Sequence, residues 1–236
     1  MATATQIAEF REQSQALVTL AQRDLTQFWG SLELYRDPFS VRDTMGEFLP
    51  ELIAAYGNTQ ALLAADFYDS LRDVPPSAAR FAAVMADPPS DPEQFLSTAS
   101  WAIAPLLGDE PDGDGALSRL TGAVSRLVMQ PNRDTVITSV SKDKHAVGWQ
   151  RKTRAESCRF CRMLAGRDNA VYKRESALVA AHDRCKCVAV PSWDPDAPEV
   201  PAYAYVASQT TARMSPAQRE AHRARVRDYL DANIPK

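Results

Sequence analysis

The sequence predicts a mainly α protein, with an N-terminal helical domain followed by a small α+β module and a C-terminal helix. Three observations predict it. Apolar residues recur at helical spacing through most of the first 140 positions, and this periodicity stops after His145, where short β-branched runs take over. All four cysteines, Cys158, Cys161, Cys185 and Cys187, fall inside thirty residues, with His182 just ahead of the second pair. At 236 residues with 45% hydrophobic content, the chain has enough apolar surface for a core of its own.

The elements follow in order. Ile7, Phe10, Leu17, Leu20, Leu25, Phe28 and Leu32 trace a stripe that predicts a helix from Thr3 to about Leu34. Asp37-Pro38 breaks it, and Ser40 reads as the N-cap of a second helix that ends at Gly57. Asn58 then caps a third, Ala-rich helix carrying Leu62, Leu63, Phe67, Tyr68 and Leu71. Prolines at 75, 76, 88, 89 and 92 punctuate a short helix around Ala78 to Met85 and start another at Glu93 that runs past Trp101. The acidic run from Gly108 to Gly115 reads as a loop. Beyond it Leu117, Leu120, Val124, Leu127 and Val128 give a helical face that Pro131 ends or kinks, with Asn132 capping a continuation through Val140. Ala146 to Trp149, Val171-Tyr172 and Cys187 to Val190 read as short strands, the proline-rich stretch from Pro191 to Pro201 as extended chain, and Ser215-Pro216 as the start of a last charged helix reaching about Asn233. The implied division is a helical assembly domain over 1–144, a Cys/His module over 145–191, and a proline-rich extension with its helix over 192–236.

No apolar run is long enough for a membrane span and no secretory signal precedes the first helix, so the expectation is a soluble chain made in a cytoplasm, with no membrane partner. The formal net charge of -3 is unevenly spread: residues 151 to 187 carry +6 and the remainder -9. Arg159, Arg162, Arg167, Lys173, Arg174, Arg184 and Lys186 surround the cysteines. They can meet phosphate, as in contact with DNA, or form a solvated shell.

In a reducing compartment, clustered cysteines more often bind metal than form disulfides. Cys158-x-x-Cys161 is the common half-site of a structural zinc centre, and His182-x-x-Cys185-x-Cys187 offers three further donors where two are needed. Cys158, Cys161, His182 and Cys185 form the first set, with Cys187 able to exchange with His182 or Cys185. Four or five protein ligands leave no open coordination position, which favours a structural ion over a catalytic one. The His-x-Glu ahead of Pro-Cys-x-x-Cys that zinc deaminases require is absent, as is His-Glu-x-x-His. A spacer of twenty residues and the lack of a second histidine also separate the segment from C2H2 fingers. Ser139 and Ser141 lie near His145, but no Gly-x-Ser-x-Gly turn exists, so no nucleophile and base can be assigned.

Gly148-Trp149, Ser157-Cys158-Arg-Phe-Cys161-Arg-Met163-Leu-Ala165, Val171-Tyr172 and His182-Asp-Arg-Cys185-Lys-Cys187 running into Val190-Pro191 together resemble the MuF-like minor capsid proteins of tailed phages, in the variety that infects actinobacteria. The resemblance implies a head-morphogenesis protein that enters the capsid interior in few copies after assembly in the host cytoplasm. Its implied contacts are the portal protein and the major capsid or scaffold protein, with packaged DNA as a further partner. Some relatives carry the label capsid maturation protease, which makes processing of capsid or scaffold protein the alternative activity.

Overall fold

The computed structural model describes residues 2–34, 37–72, 74–75, 79–154, 157, 159–165, 170–173, 181–200 and 214–233. It is mainly helical, with a two-stranded sheet and a C-terminal helix, as the periodicity predicts. The first helix, α1 (Ala4–Trp29), begins in a capping box: Thr3 accepts from the backbone of Gln6, and the Gln6 side chain returns the bond. Helix α2 (Pro38–Leu71) is capped by Asp37, whose carboxylate accepts from Phe39 and Ser40, so the cap lies three residues ahead of Ser40. With Pro38 at the first helical position, the missing proline N–H costs nothing. Helix α3 (Pro92–Ile103) repeats the device with Asp91, and α4 (Gly113–Lys142) starts at Asp112, whose side chain accepts from Gly115. The acidic loop is therefore shorter than its composition suggests, since Gly113 to Gly115 belong to a helix.

Two predicted breaks are absent, and each accounts for the other. Helix α2 runs straight through Gly57, and α4 runs through Pro131. A Cβ on Gly57 would lie 3.1 Å from the Pro88 ring and 3.2 Å from Pro131 Cγ. The glycine is thus a packing notch that two proline rings fill. Asn132 is no cap. It is fully buried, and its Nδ2 donates to Ser14 Oγ at 3.2 Å and Gln60 Oε1 at 3.0 Å, while Gln60 Nε2 donates to the Ser14 carbonyl at 2.8 Å. This polar knot ties α1, α2 and α4 at the centre of the bundle, with its buried donors satisfied.

Residues 79 to 86, which take in 79 to 85 of the predicted short helix, form no helix. Their backbone is bound by side chains of the neighbouring helices: Asp69 Oδ1 accepts from Ala83 N, Ser139 Oγ from Val84 N and Thr135 Oγ1 from Ala86 N, each at 2.9 Å. Donors that a helix would use internally are taken by α2 and α4, and local helix propensity is overridden.

After α4, strand β1 (Gly148–Lys152) pairs antiparallel with β2 (Val188–Ser192), in a register that sets Gly148 opposite Ser192 and Lys152 opposite Val188. Pro191 and Ser192 thus belong to the strand, ahead of the extended tail. A short helix, α5 (Arg159–Ala165), lies in the long connection, and Val171-Tyr172 forms isolated bridges to Trp149 and Glu199. Trp149, Tyr172, Val188, Ala189 and Val190 share one apolar core with Leu120, Val124, Leu127 and Val136 of α4. The last helix, α6 (Pro216–Asn233), is highly charged. None of the helices, among the described residues, is long and apolar enough to cross a membrane.

The Gly148-Trp149 pair has a steric reason. A Cβ at Gly148 would sit 2.5 Å from the Tyr172 carbonyl oxygen, while Trp149 and Tyr172 exchange backbone bonds of 2.9 and 2.8 Å and stack with centroids 4.4 Å apart. Gly148→Ala is expected to push these backbones apart at a cost of about 1–3 kcal/mol, measured as a lower midpoint in denaturant with little change in helix content.

Candidate metal centre

The ligand loop is built on α4. Cys185 N–H donates to the His182 carbonyl at 3.1 Å, closing a turn in which Arg184 has a φ of 60°. For a residue with a Cβ this conformation costs about 1–2 kcal/mol, and the turn is anchored against it. Arg184 Nη2 donates to the Ser118 carbonyl and Oγ, both at 2.6 Å, and Arg126 Nε donates to the Asp183 carboxylate at 2.9 Å. Further along the same helix, the buried Arg133 donates to the carbonyls of Cys185 at 3.0 Å and Cys187 at 3.1 Å.

The turn brings His182 and Cys185 against Cys161 of α5. Cys161 Sγ lies 3.4 Å from His182 Nε2 and 3.4 Å from Cys185 Sγ, and all three donor atoms lie within 4.8 Å of one another. The two 3.4 Å separations fall within the roughly 3.3–3.8 Å edges of a tetrahedron with metal–ligand bonds of about 2.0–2.3 Å, so the donor set fits a zinc-sized ion. His182 Nδ1 is 2.6 Å from the Asp183 carbonyl, a bond in which the ring can only donate, and this leaves Nε2 as the ligating nitrogen. Cys187 Sγ stands 3.0 Å from Cys185 Sγ and accepts from Arg151 Nη1 at 2.9 Å. It is buried beside the group, but as a sulfur bonded to a guanidinium it is more than a small hydrophobe.

Cys161, Cys185 and Cys187 form no disulfide with one another. Cys187 is the one held toward the thiolate, because Cys161 and Cys185 direct hydrogen bonds to it and the Arg133 and Arg151 charges favour its anion against the cost of burial. Cys161 shifts the opposite way, through hydrogen bonds to Cys185 and Cys187 and through burial. A divalent ion would remove this contest by stabilising all of the sulfurs as thiolates.

Cys158 lies outside the described residues, as does Arg174, and of Arg159 only the backbone in α5 is described. Among the other basic residues, Lys173 pairs with Glu199 at 2.8 Å, Arg162 is half-buried and Lys186 is exposed. Arg154, Arg184 and Lys186 edge a cleft of about 280 Å³ beside Cys161 and His182. Near His145, Ser139 is buried, with its Oγ committed to Val84 N. The residues missed by sequence reading are Arg133 and Arg151, which are distant in sequence from the ligands they touch and resemble any surface arginine.

A family model described as VG15 protein matches residues 1–229. No curated protein and no solved structure matches the chain.

Proposed function

The chain belongs to the VG15 protein family, and on that footing we propose that it is a phage minor capsid protein of the MuF-like kind, acting in head morphogenesis at or near the portal. The family match over nearly the whole chain carries this reading, because it supports a phage virion-associated protein. The Cys/His cluster supports the second part of the proposal, a structural zinc that fixes the ligand loop against α4. When bound, zinc supplies a crosslink among Cys161, His182 and Cys185, with Cys158 or Cys187 completing the set. The chain's own residues orient the donors: the Asp183 carbonyl fixes the His182 ring, Arg184 and Arg126 hold the turn, and Arg133 holds the loop leading into β2.

The helical body would supply the assembly contacts. Leu96, Trp101 and Leu107, exposed on α3 and the turn after it, offer apolar surface for the portal, major capsid or scaffold protein. DNA contact ranks second, because Lys173 and Arg184 are already engaged within the chain, leaving Arg154 and Lys186 at the cleft. Mass spectrometry of purified particles, with crosslinking, is the test. The expected result is a few copies per particle, crosslinked to the portal or to a capsid subunit. A chain found only in the lysate and never in particles would refute the reading.

A further inference from the structure

Among the described residues, Arg133 carries a buried charge that no ion pair explains. It lies in α4 and is 2% exposed. Nε and Nη2 are spent on the carbonyls of Cys187 and Cys185, and Nη1 is buried without a hydrogen-bond partner. Carbonyl dipoles satisfy donors but do not neutralise a cation, and a buried guanidinium lacking an anion costs several kcal/mol, by the general penalty for desolvating an ion. No ion pair of Arg133 with a carboxylate occurs among the described residues. Asp134, next in the chain, feels the Arg133 charge but has its carboxylate engaged by Gln130, and the groups bonded to the Arg133 head are the two ligand-loop carbonyls, with the sulfurs of Cys185 and Cys187 on the same loop.

The buried charge of Arg133 then favours a metal centre that is itself negative. A divalent ion held by two thiolates and neutral ligands has no net charge and would leave Arg133 uncompensated. With three thiolates and one imidazole the centre carries one negative charge, and with four thiolates two. A second guanidinium, that of Arg151, donates to Cys187 Sγ. Resting on the zinc reading above, we infer that the centre is a net-anionic, thiolate-rich site and that Arg133 of α4 is its counter-cation, a positioning residue that sets metal affinity without touching the metal. The same residue makes ion binding a bond between bundle and module: the loop that donates the sulfurs is held to α4 by the charge that those sulfurs acquire on ligation.

The test uses the full chain loaded with Zn²⁺ or Co²⁺ and titrated with a chromogenic chelator. Arg133→Met removes the charge but keeps most of the volume, and it is expected to weaken Zn²⁺ binding by at least tenfold. Arg133→Lys keeps the charge and is expected to stay within about threefold of the parent, since a charge acts on the centre in either geometry. Far-UV circular dichroism checks that each variant retains its helices. Equal affinity in parent and Arg133→Met would overturn the inference, as would an equal loss in both variants, which would point to the carbonyl bonds alone. The Co²⁺-loaded parent gives an answer even if Arg133→Met does not fold. Sulfur-to-cobalt charge-transfer absorption of three or four thiolates is expected, whereas the intensity of two would mean a neutral centre and no need for a counter-cation. A parent that binds neither metal defeats the zinc reading itself, whereas one whose binding ignores Arg133 defeats only this inference.

Discussion

Cys185→Ser is expected to release the metal and open the ligand loop and sheet while the helical body stays folded. Cys185 is the hinge of the site: it is buried, its Sγ lies 3.4 Å from Cys161 and 3.0 Å from Cys187, and its backbone closes the turn that carries His182. Serine keeps the size but is a poor ligand for zinc. Structural zinc contributes on the order of 10 kcal/mol of folding free energy in small metal-dependent domains, far more than any single contact in this module. Hydrogen exchange should therefore show amides of 148–152 and 181–192 losing protection in the variant, as they should in the parent treated with chelator, while α1 to α4 keep theirs. Parent and variant with equal protection across both stretches would count against a metal staple.

The second large effect is expected at Asp143, where α2, α4 and the chain after β2 meet. Asp143 is 1% exposed, and its carboxylate accepts from Arg72 Nε at 2.9 Å, His145 N at 3.0 Å, Tyr68 Oη at 3.2 Å and Trp193 Nε1 at 3.3 Å. One side chain thus joins the ends of α2 and α4 to the residue after β2. Asp143→Asn preserves the shape but leaves Arg72 without its counter-charge, and breaking a buried pair from one side costs about 3–5 kcal/mol, or roughly 10 °C in Tm for a chain of this size. Burial opposes ionisation of Asp143, but the bonds from Arg72, the His145 amide and Trp193 outweigh it and hold the carboxyl below its usual value. A carboxyl lowered on folding stabilises above its unfolded pKa of about 4, and that contribution disappears as pH falls through the folded value. The stability gap between parent and Asp143→Asn should therefore be widest near neutrality and shrink in acid. A gap that does not depend on pH would mean that Asp143 acts through shape alone.

Much of the architecture is legible in the residues because its causes are local. Apolar spacing gives α1 and most of α2 and α4, the proline punctuation gives α3, and Ser215-Pro216 opens α6. The larger misreadings share one physical origin, a partner remote in sequence. Gly57 and Pro131 carry the ordinary marks of helix ends, and only the packing of α2 on α4 shows that one fills the space the other leaves. The stretch from 79 to 86 has helical composition but is bound by Asp69 and by Thr135 and Ser139 of α4. The sulfur cluster was legible for the opposite reason, since Cys185, Cys187 and His182 lie within six residues. What spacing could not rank was Cys187, whose contact with Arg151 comes from the far strand of the sheet.

Whether Cys161, His182 and Cys185 hold a structural zinc is decided by elemental analysis of the purified chain alongside its Cys185→Ser variant, after exchange into metal-free buffer. One zinc per chain in the parent and none in the variant is the predicted result. A parent that folds with full protection of 181–192 and carries no stoichiometric metal would contradict the account.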